Sequence, residues 1–268
     1  MIELDTIYNE DCIEGMKRIG DASVDCIICD LPYGVLHKNN PHAQWDRQIP
    51  FEPLWEQYER IIKNNGAILL FGQGMFTAHL MMSNPKLWRY NLVWDKCRTT
   101  GFLNANRMPL RCHEDIAVFY KSLPVYNPQY TDGEASHPKG RGKHKETNQC
   151  YGDFGRNYQG RTYEEVRRVA PTVPAGKKLP RSIIAIKKEH ESTVLHPTQK
   201  PVELIRYLIR TFTNGGGGVV LDNCIGSGTT AIACIKEKRS YIGFELNKEF
   251  FDMAQKRIKR ELQQPTFW

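Results

Sequence analysis

Apolar residues come in short blocks along this chain, and two kinds of spacing alternate. Val24-Asp25-Cys26-Ile27-Ile28-Cys29, Ala67-Ile68-Leu69-Leu70-Phe71, Asp115-Ile116-Ala117-Val118-Phe119-Tyr120 and Val219-Val220-Leu221 are compact runs rich in β-branched and large apolar residues. Such runs read as buried strands. Residues 2–8, Tyr90-Asn91-Leu92-Val93-Trp94 and Ser240-Tyr241-Ile242-Gly243-Phe244 add further strands. The other blocks have helical spacing. Pro53 opens a helix that places Leu54, Tyr58, Ile61 and Ile62 on one face, with Asn65-Gly66 as its predicted stop. Pro201 opens another, with Val202, Ile205, Leu208, Ile209 and Phe212 as its stripe. Phe251, Ala254, Ile258 and Leu262 mark a last helix. Shorter ones carry Ile13, Met16 and Ile19, cover 75–83, and run through Ile232 and Ile235. Strand and helix alternating in this way predict an α/β fold with a doubly wound, mostly parallel sheet.

Two stretches break the pattern. Residues 35–50 are polar and aperiodic, and read as a loop. Residues 121–191 are rich in Gly, Pro, Tyr, Lys and Arg, and only Ser182–Ile186 has the look of a core element. The chain therefore divides into 1–120, an insertion at 121–191, and 192–268. Charge sharpens that division. The 268 residues carry 37 Lys and Arg against 30 Asp and Glu, a net of +7. The insertion alone carries 14 against 8, a net of +6, with Gly140-Arg141-Gly142-Lys143-His144-Lys145 at its centre. Excess positive charge gathered in one segment suits a polyanionic partner. The opening residues do not read as a signal peptide, and no apolar stretch is long enough for a membrane span. Eight cysteines lie without framework spacing; Cys26-x-x-Cys29 runs along a strand with no second pair, so no metal site is expected.

Two loops carry the chemistry. Asp30-Leu31-Pro32-Tyr33-Gly34 ends the strand at 24–29, at the carboxyl edge where open α/β sheets bind ligands. By itself this could equally be an ordinary turn stiffened by proline. The second loop, Asp222-Asn223-Cys224-Ile225-Gly226-Ser227-Gly228-Thr229-Thr230, joins a strand to a helix. Its glycines permit close backbone approach and aim a helix N-terminus at a ligand. Glu245 ends the following strand, 19 residues after Gly226, where a ribose-binding acid belongs. The third glycine of a dinucleotide fingerprint is absent, which favours a nucleoside ligand without pyrophosphate.

With His196-Pro197-Thr198-Gln199-Lys200-Pro201 between them, these loops give the chain its resemblance to the amino-group DNA methyltransferases, in the permuted arrangement called the beta class. The resemblance covers nearly everything outside 121–191. It implies a Rossmann-like methyltransferase domain and S-adenosylmethionine as methyl donor. By the same resemblance, His196, Asp222, Gly226, Ser227, Gly228 and Thr229 lie in the cofactor site. Thr198 and Lys200 would reach the cofactor carboxylate, Glu245 the ribose hydroxyls, and Asp11 and Cys12 the adenine ring. Asp30, Leu31, Pro32 and Tyr33 would form the catalytic loop, with Leu31 where the family usually has proline. The Leu31 contribution would be its carbonyl, which any residue supplies, and Pro32 still biases it toward an extended backbone.

The chemistry follows from the acceptor nitrogen. An exocyclic amino group has its lone pair delocalised into the base ring. Asp30 and the Leu31 carbonyl can accept its N–H groups and draw it toward tetrahedral geometry. Tyr33 would stack the base once it is flipped from double-stranded DNA. Arg141, Lys143, Lys145, Arg156 and Arg161 are the candidate phosphate and guanine contacts. An acid at the first position favours adenine N6 by family habit, with cytosine N4 as the alternative. RNA, a glutamine amide, and a non-catalytic DNA-binding protein of the same fold are weaker readings. The resemblance also implies a cytoplasmic protein of bacterial or phage origin. It leaves open a homodimer and a restriction partner.

Overall fold

The computed structural model describes residues 2–35, 46–133, 173–188 and 199–263. The chain forms two compact units, one from 1–127 with 181–268 and the other from 128–180. The larger unit is organised on one sheet of eight strands: β1 (Thr6–Tyr8), β2 (Val24–Cys29), β3 (Ile62–Gly72), β4 (Trp88–Thr100), β5 (Arg111–Phe119), β8 (Ile183–Ala185), β9 (Val219–Asp222) and β10 (Ser240–Phe244). Their order is β1-β10-β9-β2-β3-β5-β4-β8. From β1 across to β3 every pairing is parallel. β5 lies antiparallel between β3 and β4, and β8 runs parallel to β4 at the edge. The mostly parallel α/β sheet expected from the sequence is present. Its antiparallel member arises because β4 and β5 are joined by a hairpin rather than a crossover helix.

Side-chain alternation along the strands builds a core on each face. Cys26 and Ile28 of β2 pack on one side with helices α4 (Val202–Phe212) and α5 (Thr229–Glu237). Ile27 and Cys29 pack on the other with α1 (Cys12–Met16), α2 (Phe51–Ile61) and α3 (Met75–Ser83). α6 (Lys248–Leu262) adds Ala254 and Ile258 to the first face. A strand covered on both faces needs a continuous apolar run, which β2 supplies. Its one interruption, Asp25, is used: Oδ2 accepts the Val219 amide at 2.9 Å, and Lys63 donates to it at 2.8 Å. Because Cys26 and Cys29 point to opposite faces, they cannot share a ligand.

Element ends shift by a few residues, α2 starting at Phe51 ahead of Pro53 and α1 ending before Ile19, and two departures matter more for the fold. α2 ends at Ile61, not at Asn65-Gly66, because Ile62 is already extended (φ −73°, ψ 135°) and starts β3. Gly66 serves packing instead. A Cβ there would stand 2.8 Å from the Asp25 carbonyl, where the β2–β3 register shifts between Val24 and Cys26. The second departure is Ser182–Ile186, which fell within the basic insertion. Its core forms β8 on the main sheet, with Ile184 buried and the Trp94 indole donating to the Ile186 carbonyl at 2.8 Å.

In the smaller unit β6 (Thr131–Asp132) pairs antiparallel with β7 (Lys177–Lys178). Arg141, Lys143, Lys145, Arg156 and Arg161 lie outside the described residues, as do His196 and Thr198.

Candidate active site

Asp30 and the Asp222–Thr230 loop are some 190 residues apart in sequence and adjacent in space. β2 and β9 are parallel neighbours, pairing Cys26 with Val220 and Ile27 with Leu221, so both loops leave the sheet at the same edge. That edge lies where the strand order turns back on itself, the position at which open α/β sheets take their ligands.

The first loop is fixed from several sides. The Leu31 side chain is buried in the core below α1 and α2. Gly34 has φ +70°, and the Asp46 carboxylate accepts the Gly34 and Val35 amides at 2.9 and 2.8 Å. The Tyr33 ring stacks on Phe76 of α3, centroids 4.3 Å apart, and its hydroxyl donates to Asp30 Oδ1 at 3.1 Å. Asp30 Oδ2 accepts from the Lys200 ammonium. Lys200 also faces Glu114 Oε2 at 3.3 Å, an ionic contact rather than a directed hydrogen bond. Lys96 holds the other Glu114 oxygen at 2.7 Å.

Asp30, Lys200, Glu114 and Lys96 thus alternate in sign through a low-dielectric interior, where each charge depends on its neighbour. Burial pushes the Asp30 carboxyl above the usual carboxylate range, with the Lys200 charge pulling the other way. Burial works against the Lys200 charge too, but the facing Asp30 and Glu114 carboxylates outweigh it and raise its pKa. The Glu114 carboxyl is held low, since Lys200 and Lys96 overcome its burial. Lys200, expected at a cofactor carboxylate, therefore has its ammonium between two protein acids.

The second loop is secured both by its own residues and by the elements around it. Asp222 Oδ1 accepts the Cys224 amide at 3.1 Å and Oδ2 accepts the Thr230 hydroxyl at 2.5 Å. Burial nonetheless pushes its carboxyl up to about 7. Gly228, at φ +81°, caps α5, and a Cβ there would meet Ala254 of α6 at 3.0 Å. Its glycine is thus required by helix packing. Arg257 of α6 donates to the Ser227 carbonyl at 2.6 Å and to the Thr229 hydroxyl at 3.3 Å. Glu245 accepts the Gly226 and Asn247 amides at 2.9 and 2.8 Å, one on each oxygen, and burial raises its pKa. Asp11 caps α1, accepting from the Ile13 and Glu14 amides at 2.9 and 3.1 Å. Cys12 meets Asn223, whose amide donates toward its sulfur at 3.5 Å and whose oxygen accepts from Tyr58 at 2.5 Å.

These groups enclose a cavity of about 330 Å³. Of the described candidates, all line it except Leu31, Tyr33 and Gly228. Glu245, Phe250, Ile225 and Leu246 contribute one carboxylate and an apolar lining, which suits a nucleoside. Asp30, Lys200 and Asp222 add polar and charged groups to the same cavity. Phe71, Asn223, Gln199 and Phe250 also line it and were not singled out from the sequence. Glu114 and Lys96 were missed as well. Glu114 directly precedes the apolar run that begins at Asp115, which was a visible signal, whereas Lys96 gave none.

A family model for DNA methylases of the N6/N4 type matches residues 24–256. The chain is 26% identical over 288 aligned positions to the Type II methyltransferase M.HinfI of Haemophilus influenzae, an alignment covering 96% of this chain and 68% of that one. It is 25% identical to the Type II methyltransferase M1.MboII of Moraxella bovis, covering 95% and 96%. Among solved structures, the M1.HpyAVI complex with SAM superposes at a TM-score of 0.57, with 23% identity and coverage of 94% and 98%. The PvuII cytosine-N4-specific DNA methyltransferase superposes at 0.64, with 13% identity and coverage of 98% and 87%. Both structural likenesses concern the fold.

Proposed function

We propose, for a chain that belongs to the N6/N4 DNA methylase family, that it methylates the N6 amino group of adenine at a specific site in duplex DNA. S-adenosylmethionine is the methyl donor. The observation that carries this reading is the single cavity in which Asp30 and the Asp222–Thr230 loop meet. It brings an amino-group acceptor and a nucleoside-sized site to the same wall.

When bound, S-adenosylmethionine supplies an electrophilic methyl group on a sulfonium. The rest is the work of this chain. Glu245 keeps one lone pair on each oxygen for ribose hydroxyls, after the Gly226 and Asn247 amides take the others. Lys200 opposes the rise that burial imposes on the Asp30 pKa and fixes its Oδ2, leaving Oδ1 to accept an amino N–H beside the Tyr33 hydroxyl. The Leu31 carbonyl accepts the second N–H. Together they localise the nitrogen lone pair and stabilise the positive charge that develops on it. Asp30 then takes up the proton that the alkylated nitrogen sheds. Tyr33, braced on Phe76, gives the flipped base a rigid aromatic neighbour.

An acid at position 30 supports adenine, by the habit of the family. The same pocket would serve cytosine N4, and this is the second reading. The basic residues Arg141, Lys143, Lys145, Arg156 and Arg161 are assigned to DNA contact. The test is labelled methyl transfer to duplex DNA, RNA and protein, followed by mapping of the modified base. N6-methyladenine confined to one sequence motif is expected. N4-methylcytosine would replace adenine by the second reading, and label in RNA or protein alone would overturn both.

A further inference from the structure

Beyond the pocket, the hairpin joining β4 to β5 carries a surface that the assigned chemistry does not use. β5 lies two strands from β2, about 10 Å across the sheet at the usual spacing. Gly72 at the end of β3 pairs with Asp115, so residues before Asp115 run past the sheet's carboxyl edge. Glu114 already shares Lys200 with Asp30, and the chain continues outward from there to Arg111. The base of the hairpin is anchored to the end of β3. Gln73 donates to the His113 carbonyl and accepts from Arg111, both at 3.1 Å.

The tip is a built turn. Gly101, at φ +87°, starts a 3₁₀ turn over Phe102–Asn104, and Asn104, Ala105, Arg107 and Met108 donate amides back into it at 2.9–3.1 Å. The turn turns its apolar side chains outward: Phe102 is 80% exposed, Leu103 97% and Met108 47%. Single exposed apolar residues need no explanation, but adjacent ones held out on an ordered tip do. The tip is also cationic. Between Asp95 and Glu114 there is no acid, while Arg98, Arg107 and Arg111 are exposed. Apolar side chains flanked by arginines suit a nucleic-acid stack bordered by phosphates, and suit a protein core poorly.

We propose that this hairpin is a wedge that enters the substrate duplex beside the target base, with Phe102 and Leu103 filling or prising open the stack and the arginines holding the flanking phosphates. The proposal rests on the DNA methyltransferase reading above. Its occupant is duplex DNA, and its effect is on the cost of extruding the base.

The test uses the full chain with Phe102→Ser and Leu103→Ser together, both at exposed positions. The substrate is a duplex carrying the motif mapped in DNA from an expressing strain. It is compared with the same duplex bearing an abasic site opposite the target base, where extrusion is cheap. On the paired duplex kcat/KM is expected to fall about tenfold to a hundredfold, the rate equivalent of part of an unstacking step. On the abasic duplex most of that loss should disappear, with S-adenosylmethionine affinity unchanged. No loss on the paired duplex overturns the wedge. Equal loss on both substrates also overturns it, and a parallel change of mass in light scattering would then identify the tip as a subunit contact. Absence of transfer by the unaltered protein to any DNA would sink the functional reading itself, and the wedge with it.

Discussion

Asp30 and Asp222 occupy equivalent places, at the carboxyl ends of the neighbouring strands β2 and β9, and they are held in opposite ways. Asp222 takes the Cys224 amide and the Thr230 hydroxyl from within eight residues, in its own loop, with the Cys29 thiol of β2 as a further neighbour. Asp30 takes Tyr33 from its loop, but its charge partner comes from 170 residues away, and that partner also faces Glu114, which Lys96 of a further strand neutralises. Asp222 is held largely from its own loop. Asp30 is the end of a tertiary charge relay. Damage to the first should stay local, and damage to the second should spread.

The largest effect is expected from Lys200→Met. Removing one member of a buried, hydrogen-bonded charge pair leaves its partner, here Asp30, uncompensated, which typically costs about 3–5 kcal/mol. Denaturant unfolding measures that loss. Since Lys200 holds the Asp30 pKa down against burial, its removal should also move the acid limb of the kcat profile to higher pH. An unshifted limb would separate Asp30 from the relay.

Asp30→Ala comes next. Loss of one preorganised acceptor should lower methyl transfer by about 10²–10³-fold. Cofactor affinity, measured by calorimetry, should change little because Asp222 and Glu245 remain in place. Full activity would remove Asp30 from the chemistry.

Asp222→Asn sharpens the comparison from the other side. The folded carboxyl, pushed up to about 7, lies above the unfolded value of about 3.9. Folding therefore favours the protonated acid. Its stabilising contribution is complete below about pH 4 and is lost as pH rises toward 7. The asparagine variant should flatten that slope and be more stable than the parent at pH 7.5, by about 1–3 kcal/mol. A variant less stable at that pH would show that the ionised form is the one the loop holds.

Asp11→Ala is the smallest. Loss of an N-cap costs about 1 kcal/mol. If Asp11 only caps α1, cofactor affinity should follow stability, whereas a separate loss of affinity would mark a direct contact.

Much of the fold was legible because its strands are buried on both faces. Apolar runs such as 67–71 and 116–119 had no other reading, and the helical stripes behind Pro53 and Pro201 were equally plain. What misled was Gly66, which reads as a helix stop and is there because two strands approach too closely for a Cβ. Ser182–Ile186 had the look of a core element, but its basic neighbours placed it with the insertion, whereas it forms an edge strand of the main sheet. Within the site, Asp222, Gly226 and Glu245 were readable because they sit at fixed distances in one βαβ unit.

By itself the sequence determined the two loops, the acid that ends each strand, and the alternation that makes a doubly wound sheet. These depend on local backbone chemistry and on periodicity, which a chain carries at every position. Only the tertiary structure decided that β2 and β9 are neighbours, so that Asp30 and the Asp222 loop line one cavity. It alone placed Lys200 between Asp30 and Glu114, and the β4–β5 tip beyond the same edge. A charge's partner is set by distance through a low-dielectric interior, and separation along the chain says nothing about that distance.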